Sequence, residues 1–170
     1  MISLISSYFL GTEPVRLSEI YWRDDDTTNQ YWTLPYVPGA TLEDKPLYLL
    51  VSKETFSGGE GFAYDMQARK RGIIIGEQTD GGAHPGASYR LNDHFEVFIP
   101  IGYLTHPITK RDWEGIGVTP DIETAPEKAL RVAHQMALAS MIESLSNSTL
   151  EPLQALFAEA QEAYKELAGN

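Results

Sequence analysis

The sequence predicts an α/β fold, and three observations predict it. Two short apolar runs, Leu47-Tyr48-Leu49-Leu50-Val51 and Ile73-Ile74-Ile75-Gly76, are continuous rather than alternating, the pattern of strands covered on both faces. Between them, residues 57–71 have helical character and Gly72 stands as the stop. Strand, helix and strand make a βαβ unit, expected to be parallel and right-handed. The chain then closes on two helical segments after residue 123.

In chain order, residues 1–10 read as a helix, with Ile2, Ile5, Ser6 and Phe9 at helical spacing and Gly11 as its stop. Residues 15–22 alternate apolar and polar like a half-buried strand. Residues 24–29 read as a polar loop. Its three aspartates lack the D-x-D-x-D-G spacing of a calcium loop, so they read as a solvated turn. A short strand is expected over 31–34. After the βαβ unit comes the Gly-rich stretch Asp80-Gly81-Gly82-Ala83-His84-Pro85-Gly86. Residues 89–91 and 95–100 read as a hairpin turning at Asn92-Asp93, and 102–105 extends the sheet. Thr124-Ala125-Pro126-Glu127 reads as a capping box opening a helix to about residue 145. Ser148-Thr149-Leu150-Glu151 opens a last one to about 167, with an apolar stripe from Leu150 to Leu167.

With 170 residues, the chain is one domain of ordinary size, large enough to fold without a disulfide or metal staple. It has no cysteine, which excludes thiolate zinc, iron–sulfur clusters and a cysteine nucleophile. Thirteen Lys and Arg against 24 Asp and Glu leave −11, a poor match for nucleic acid or anionic membranes. No run approaches the ~18 apolar residues of a membrane span, and residues 1–10 lack the basic start and cleavage site of a signal peptide. Four scattered histidines show no metal-ligand spacing.

The stretch that could carry chemistry is Thr55-Phe56-Ser57-Gly58-Gly59-Glu60, where a buried strand turns into a helix. A serine there projects from the carboxyl edge of the sheet, where open α/β folds place their sites. The unpaired N–H groups of the first helical turn, Gly58 foremost, face any anion formed beside it. Ser57 could thus be a nucleophile. The spacing Ser57-x-x-Glu60 is equally that of a capping box, in which the hydroxyl does no chemistry, and it is not a G-x-S-x-G elbow. On spacing alone the cap is favoured.

Three blocks bear a resemblance to the tail-specific, or C-terminal-processing, serine protease family. They are Thr55-Phe56-Ser57-Gly58-Gly59-Glu60, Gly76-Glu77-Gln78-Thr79-Asp80-Gly81-Gly82 and Trp113-Glu114-Gly115-Ile116-Gly117-Val118-Thr119-Pro120-Asp121-Ile122. Ile20-Tyr21-Trp22-Arg23, Trp32-Thr33-Leu34-Pro35, Gly82-Ala83-His84-Pro85 and Thr105-His106-Pro107 are similar to the branch that contains interphotoreceptor retinoid-binding protein. The resemblance covers residues 1–123. It implies a crotonase/ClpP-like spiral core of βαβ units, which the two C-terminal helices read above follow. It also implies that the chain is the C-terminal portion of a catalytic domain, with core 1–123 and helical tail 124–170. A Gly-Gly turn supplying a second oxyanion donor would lie upstream.

By the same resemblance Ser57 falls on the nucleophile, Gly58 on an oxyanion donor and Glu114 on an acidic position that orients the machinery in the tricorn-like branch. Glu114 reads equally as a turn carboxylate. The lysine of the family's Ser–Lys dyad is absent, because Gly82 stands in its place. His84, two residues on, is the local candidate for the base, or else shapes a Gly/Pro turn; otherwise the resemblance implies a base upstream, where the tricorn-like branch keeps its histidine. His94, His106 and His134 have weaker claims. The expected activity is a serine peptidase acting on polypeptide near apolar C-termini, with no cofactor and with its machinery incomplete in this chain. The alternative is a non-catalytic carrier of an apolar retinoid- or fatty-acid-like ligand, held between the sheet and the terminal helices by aromatics such as Phe62, Phe98 or Tyr103. Self-association through an exposed sheet edge is expected. The resemblance suggests a periplasmic or secreted parent, and the sequence itself specifies no compartment.

Overall fold

A computed structural model describes residues 1–169. Along them run α1 (Ile2–Ser7), β1 (Arg16–Trp22), β2 (Thr27–Trp32), β3 (Tyr48–Val51), α2 (Gly58–Ala68), β4 (Ile73–Gly76), β5 (Gly86–Arg90), β6 (Glu96–Pro100), β7 (Gly102–Thr105), β8 (Ile122–Glu123), α3 (Pro126–Leu145) and α4 (Glu151–Gly169).

The βαβ unit forms as its apolar runs predict. β3 pairs β4 in parallel, Tyr48 opposite Ile73 and Val51 opposite Gly76, and β8 joins β4 on its other side, also in parallel. Successive side chains point to opposite faces, so Ile74 and Ile75, both fully buried, enter different layers. Ile74 packs with Ala63 of α2 and with Val51, Leu104, Trp113 and Val118. Ile75 packs with Ala129 and Ala133 of α3. Burying one such side chain is worth about 1.5–3 kcal/mol, which fixes a helix on each face. β3 departs from the expectation of full burial: it lies at the sheet edge and Leu50 is 44% exposed.

A second sheet has the order β2-β1-β7, antiparallel throughout. The loop expected over 24–29 is shorter than its polarity suggests. Thr27, Thr28 and Asn29 already pair with Trp22, Tyr21 and Ile20. An exposed edge strand has no buried face, so polar residues join the ladder without loss. β5 and β6 form a separate hairpin whose turn is tied by Asn92 Oδ1, the acceptor for the His94 and Phe95 N–H groups.

Two helix starts differ from expectation. Thr124 does not cap α3, because its N–H is taken by Gly76 O at 2.9 Å and prolongs the β4–β8 ladder. Ala125 is the N-cap instead, with Pro126 at the first position. α4 begins only at Glu151, three residues past Ser148, whose hydroxyl accepts the Leu150 N–H at 3.4 Å. α4 packs on α3 through buried Ala160, and Gln135 Nε2 donates to Leu167 O. No described helix is long and apolar enough to cross a membrane.

Candidate active site

Ser57 sits between β3 and α2 with φ 51° and ψ −115°. A β-carbon residue in the left-handed region costs about 1–3 kcal/mol and persists only where its surroundings hold it. The holder is Glu60, which is fully buried. Its Oε2 accepts the Ser57 N–H at 2.8 Å and the Gly82 N–H at 2.9 Å. Its Oε1 accepts the Gly81 N–H at 2.7 Å and the Thr79 hydroxyl. The capping box is therefore present, but its firm half is the Glu60 carboxylate. The Ser57 hydroxyl reaches the third helical residue without a full cap hydrogen bond, and Ser57 is exposed.

The loop carrying Gly81 and Gly82 is locked from a third side. Thr79 Oγ1 accepts the Val118 N–H at 2.7 Å, and Gly115 N donates to Gly81 O at 2.8 Å. Gly117 has φ +81°, and a Cβ there would stand 2.1 Å from Thr79 O, so only glycine fits the approach. A Cβ at Gly82 would meet the Phe56 ring at 2.1 Å. The ring of Phe56 thus lies where the side chain of a dyad lysine would leave the backbone.

Ser57, Gly58, His84 and Glu114, the four residues singled out from sequence, all line one cavity of about 870 Å³, together with Phe56, Gly82, Phe98 and Trp113. The Gly58 N–H takes no part in the hydrogen bonds that tie the turn. Glu114 spends its Oε2 on the backbone, accepting the Ala83 N–H at 2.7 Å and the His84 N–H at 2.8 Å. It anchors the loop that carries His84. The His84 ring places Nε2 3.2 Å from Asp112 Oδ2 and Nδ1 4.0 Å from Glu114 Oε2, and lies against Tyr103 with centroids 4.8 Å apart.

His106 belongs elsewhere. It is buried, with Nε2 3.0 Å from Asp65 Oδ1, while Nδ1 faces the N–H groups of Ile108 and Thr109. Those two donors make Nδ1 an acceptor, so Nε2 carries the proton. His94 lies in the β5–β6 turn and His134 on the exposed side of α3. Among the described residues no group of three His, Asp or Glu converges to hold a metal. Sequence reasoning gave Asp112 no role and saw Glu60 only as a cap partner. The signal for Asp112 was its place two residues before Glu114; nothing local tied it to His84.

A second cavity, of about 730 Å³, lies beside the first and is lined by Ile2, Ile5, Leu17, Ile20, Phe62 and Leu104, among others. Of the three aromatics expected around an apolar ligand, Phe62 lines this cavity, Phe98 lines the one beside Ser57, and Tyr103 lies tilted against His84. The cavity lies between α1, the β2-β1-β7 sheet and α2 rather than under the terminal helices.

A model of peptidase family S41 matches residues 4–124. The chain is 32% identical over 113 residues to a tail-specific protease of Haemophilus influenzae, covering 62% of this chain and 14% of that protein. It is 34% identical over 82 residues to a chloroplastic C-terminal processing peptidase of Tetradesmus obliquus, covering 48% and 18%. The chain therefore spans less than a fifth of either relative. Among solved structures, a photosystem II D1 C-terminal processing protease superposes with a TM-score of 0.55 at 26% identity, over 74% of this chain and 31% of that one.

Proposed function

Because the chain belongs to peptidase family S41, we propose that it is part of a serine-type peptidase unit that hydrolyses peptide bonds near apolar C-termini, with Ser57 as nucleophile. The observation that carries the reading is the Ser57 turn: an exposed hydroxyl on a strained strand-to-helix corner, beside the unused Gly58 N–H, at the wall of a cavity. Strain of that kind is typical of functional corners rather than of simple caps. In this reading residues 1–123 are the core of a crotonase/ClpP-like spiral and residues 124–170 its helical tail. Together they form the C-terminal portion of the catalytic domain.

The chemistry follows from the placement. The Ser57 oxygen attacks the substrate carbonyl while its proton passes to His84. The carbonyl electron pair moves onto oxygen, where the Gly58 N–H donates to it. Collapse expels the amine, which takes the proton from His84, and water then releases the acyl group. Glu114 holds the loop from which His84 acts. With Gly58 as the one donor at hand, the rate is expected about a hundred- to a thousand-fold below that of a two-donor hole. The test is labelling of the 170-residue chain with a fluorophosphonate, read by intact mass. One adduct on the native chain and none on Ser57→Ala is the expected result; no adduct on the native chain, or an adduct that persists in Ser57→Ala, overturns it.

The apolar cavity lined by Leu17, Ile20 and Phe62 favours a second reading, an apolar-ligand carrier. Saturable micromolar binding of a fluorescent fatty acid, lost in Phe62→Asp, is what that reading requires.

A further inference from the structure

We propose that Asp112 is the positioning residue for His84, fixing the imidazole so that Nδ1 is the atom that takes the Ser57 proton. The inference rests on the reading of Ser57 as nucleophile. Three observations lead to it. First, Phe56 fills the space above Gly82, and His84 is the one basic side chain among the residues lining the cavity with Ser57. Second, the backbone between the two residues is tightly held. Ser57 N and Gly82 N share one oxygen of Glu60, and Ala83 N and His84 N share one oxygen of Glu114. Third, the ring itself is oriented. Asp112 Oδ1 accepts the Glu114 N–H at 2.9 Å, which sets the carboxylate, and Oδ2 meets His84 Nε2 at 3.2 Å.

The tautomer follows from the acceptor. A carboxylate only accepts, so Nε2 carries the proton, and in the neutral ring Nδ1 keeps the lone pair. Glu114 Oε2, 4.0 Å from Nδ1, is too distant to claim that atom. When Nδ1 takes the hydroxyl proton, the O–H bond of Ser57 breaks, an N–H bond forms, and the imidazolium faces Asp112 on one side and Glu114 on the other. Tyr103, its ring tilted 48° to the imidazole at 4.8 Å, is a further titratable neighbour. The proton leaves again with the departing amine, so the residues return to their starting state.

The experiment measures the rate of fluorophosphonate adduct formation against pH, by intact mass, on the native chain and on Asp112→Asn, Asp112→Glu, His84→Ala and Ser57→Ala. Asp112→Asn keeps the Oδ1 acceptor for Glu114 N but can offer an N–H to the ring and reverse the tautomer. We expect it to slow labelling by about a hundred-fold or more, as losing the orienting carboxylate does in serine triads, with partial recovery in Asp112→Glu. His84→Ala should slow it by about a hundred- to ten-thousand-fold, lose the histidine limb of the pH profile, and recover with added imidazole, whereas Ser57→Ala should not recover. Native-rate labelling of Asp112→Asn with an unchanged pH profile overturns the pair while leaving the nucleophile standing. No adduct on the native chain removes the nucleophile, and the pair with it.

Discussion

Glu60→Gln tests the site at its least conspicuous residue. Four donors surround two oxygens of a fully buried carboxylate: Ser57 N and Gly82 N on Oε2, Gly81 N and the Thr79 hydroxyl on Oε1. An amide keeps one oxygen. If its NH2 replaced Oε2, two backbone N–H groups would face a donor. If it replaced Oε1, the Thr79 oxygen, which already accepts the Val118 N–H, could turn to accept from the amide, and the Gly81 N–H would be the one backbone donor orphaned. The second arrangement is cheaper, and it still costs about 1–3 kcal/mol for the orphan, plus about 1 kcal/mol for each of two bonds that lose their charge. The sum is about 3–5 kcal/mol. For a domain of this size that is a fall of roughly 6–20 °C in Tm. Urea unfolding with an unchanged m-value is the assay. The same variant should label more slowly at Ser57, since the carboxylate holds that residue's backbone. A loss within about 0.5 kcal/mol, the range of an ordinary surface change, would refute the claim that Glu60 holds the turn.

Gly82→Lys should destabilise the chain by about 1–3 kcal/mol by forcing Phe56 off its seat. Phe56→Ala should relieve most of that, so a double-mutant cycle in urea should give a coupling above about 0.5 kcal/mol. Gly117→Ala places a Cβ 2.1 Å from Thr79 O at φ +81° and should cost at least about 2 kcal/mol, read as a lower Tm. His106→Phe leaves Asp65, 2% exposed, with Arg69 as its remaining partner. It should cost about 3 kcal/mol in the same unfolding assay.

Where the chain's own chemistry is local, the sequence was legible. The two apolar runs announced β3 and β4, though only β4 is covered on both faces and β3 is an edge strand with Leu50 exposed, and Asn92 announced a turn through its own side chain. The errors fall where a distant partner decides. Thr27 to Asn29 become strand because β1 offers a ladder, and Thr124 fails to cap because β4 takes its N–H. The site divides in the same way. Ser57 and Gly58 are candidates because local pattern locates a strand-to-helix corner, and His84 and Glu114 are candidates by resemblance; the fold brings all four to one cavity. Asp112 was not found, since its partnership with His84 is made across 28 positions of sequence. Nor did the spacing Ser57-x-x-Glu60 disclose that the carboxylate serves Gly81 and Gly82 as well as its own helix.

The Glu60 and Thr79 bonds also bear on how this region opens. Ser57, Gly81, Gly82 and Val118 come from three separate stretches of chain, yet their amide hydrogens all end on two neighbouring side chains. Hydrogen exchange at these four amides should then proceed with a common opening free energy rather than four separate ones, even though Ser57 itself lies in contact with solvent. A corner that exchanges as one unit gives the hydroxyl access to a substrate without giving its backbone freedom to relax.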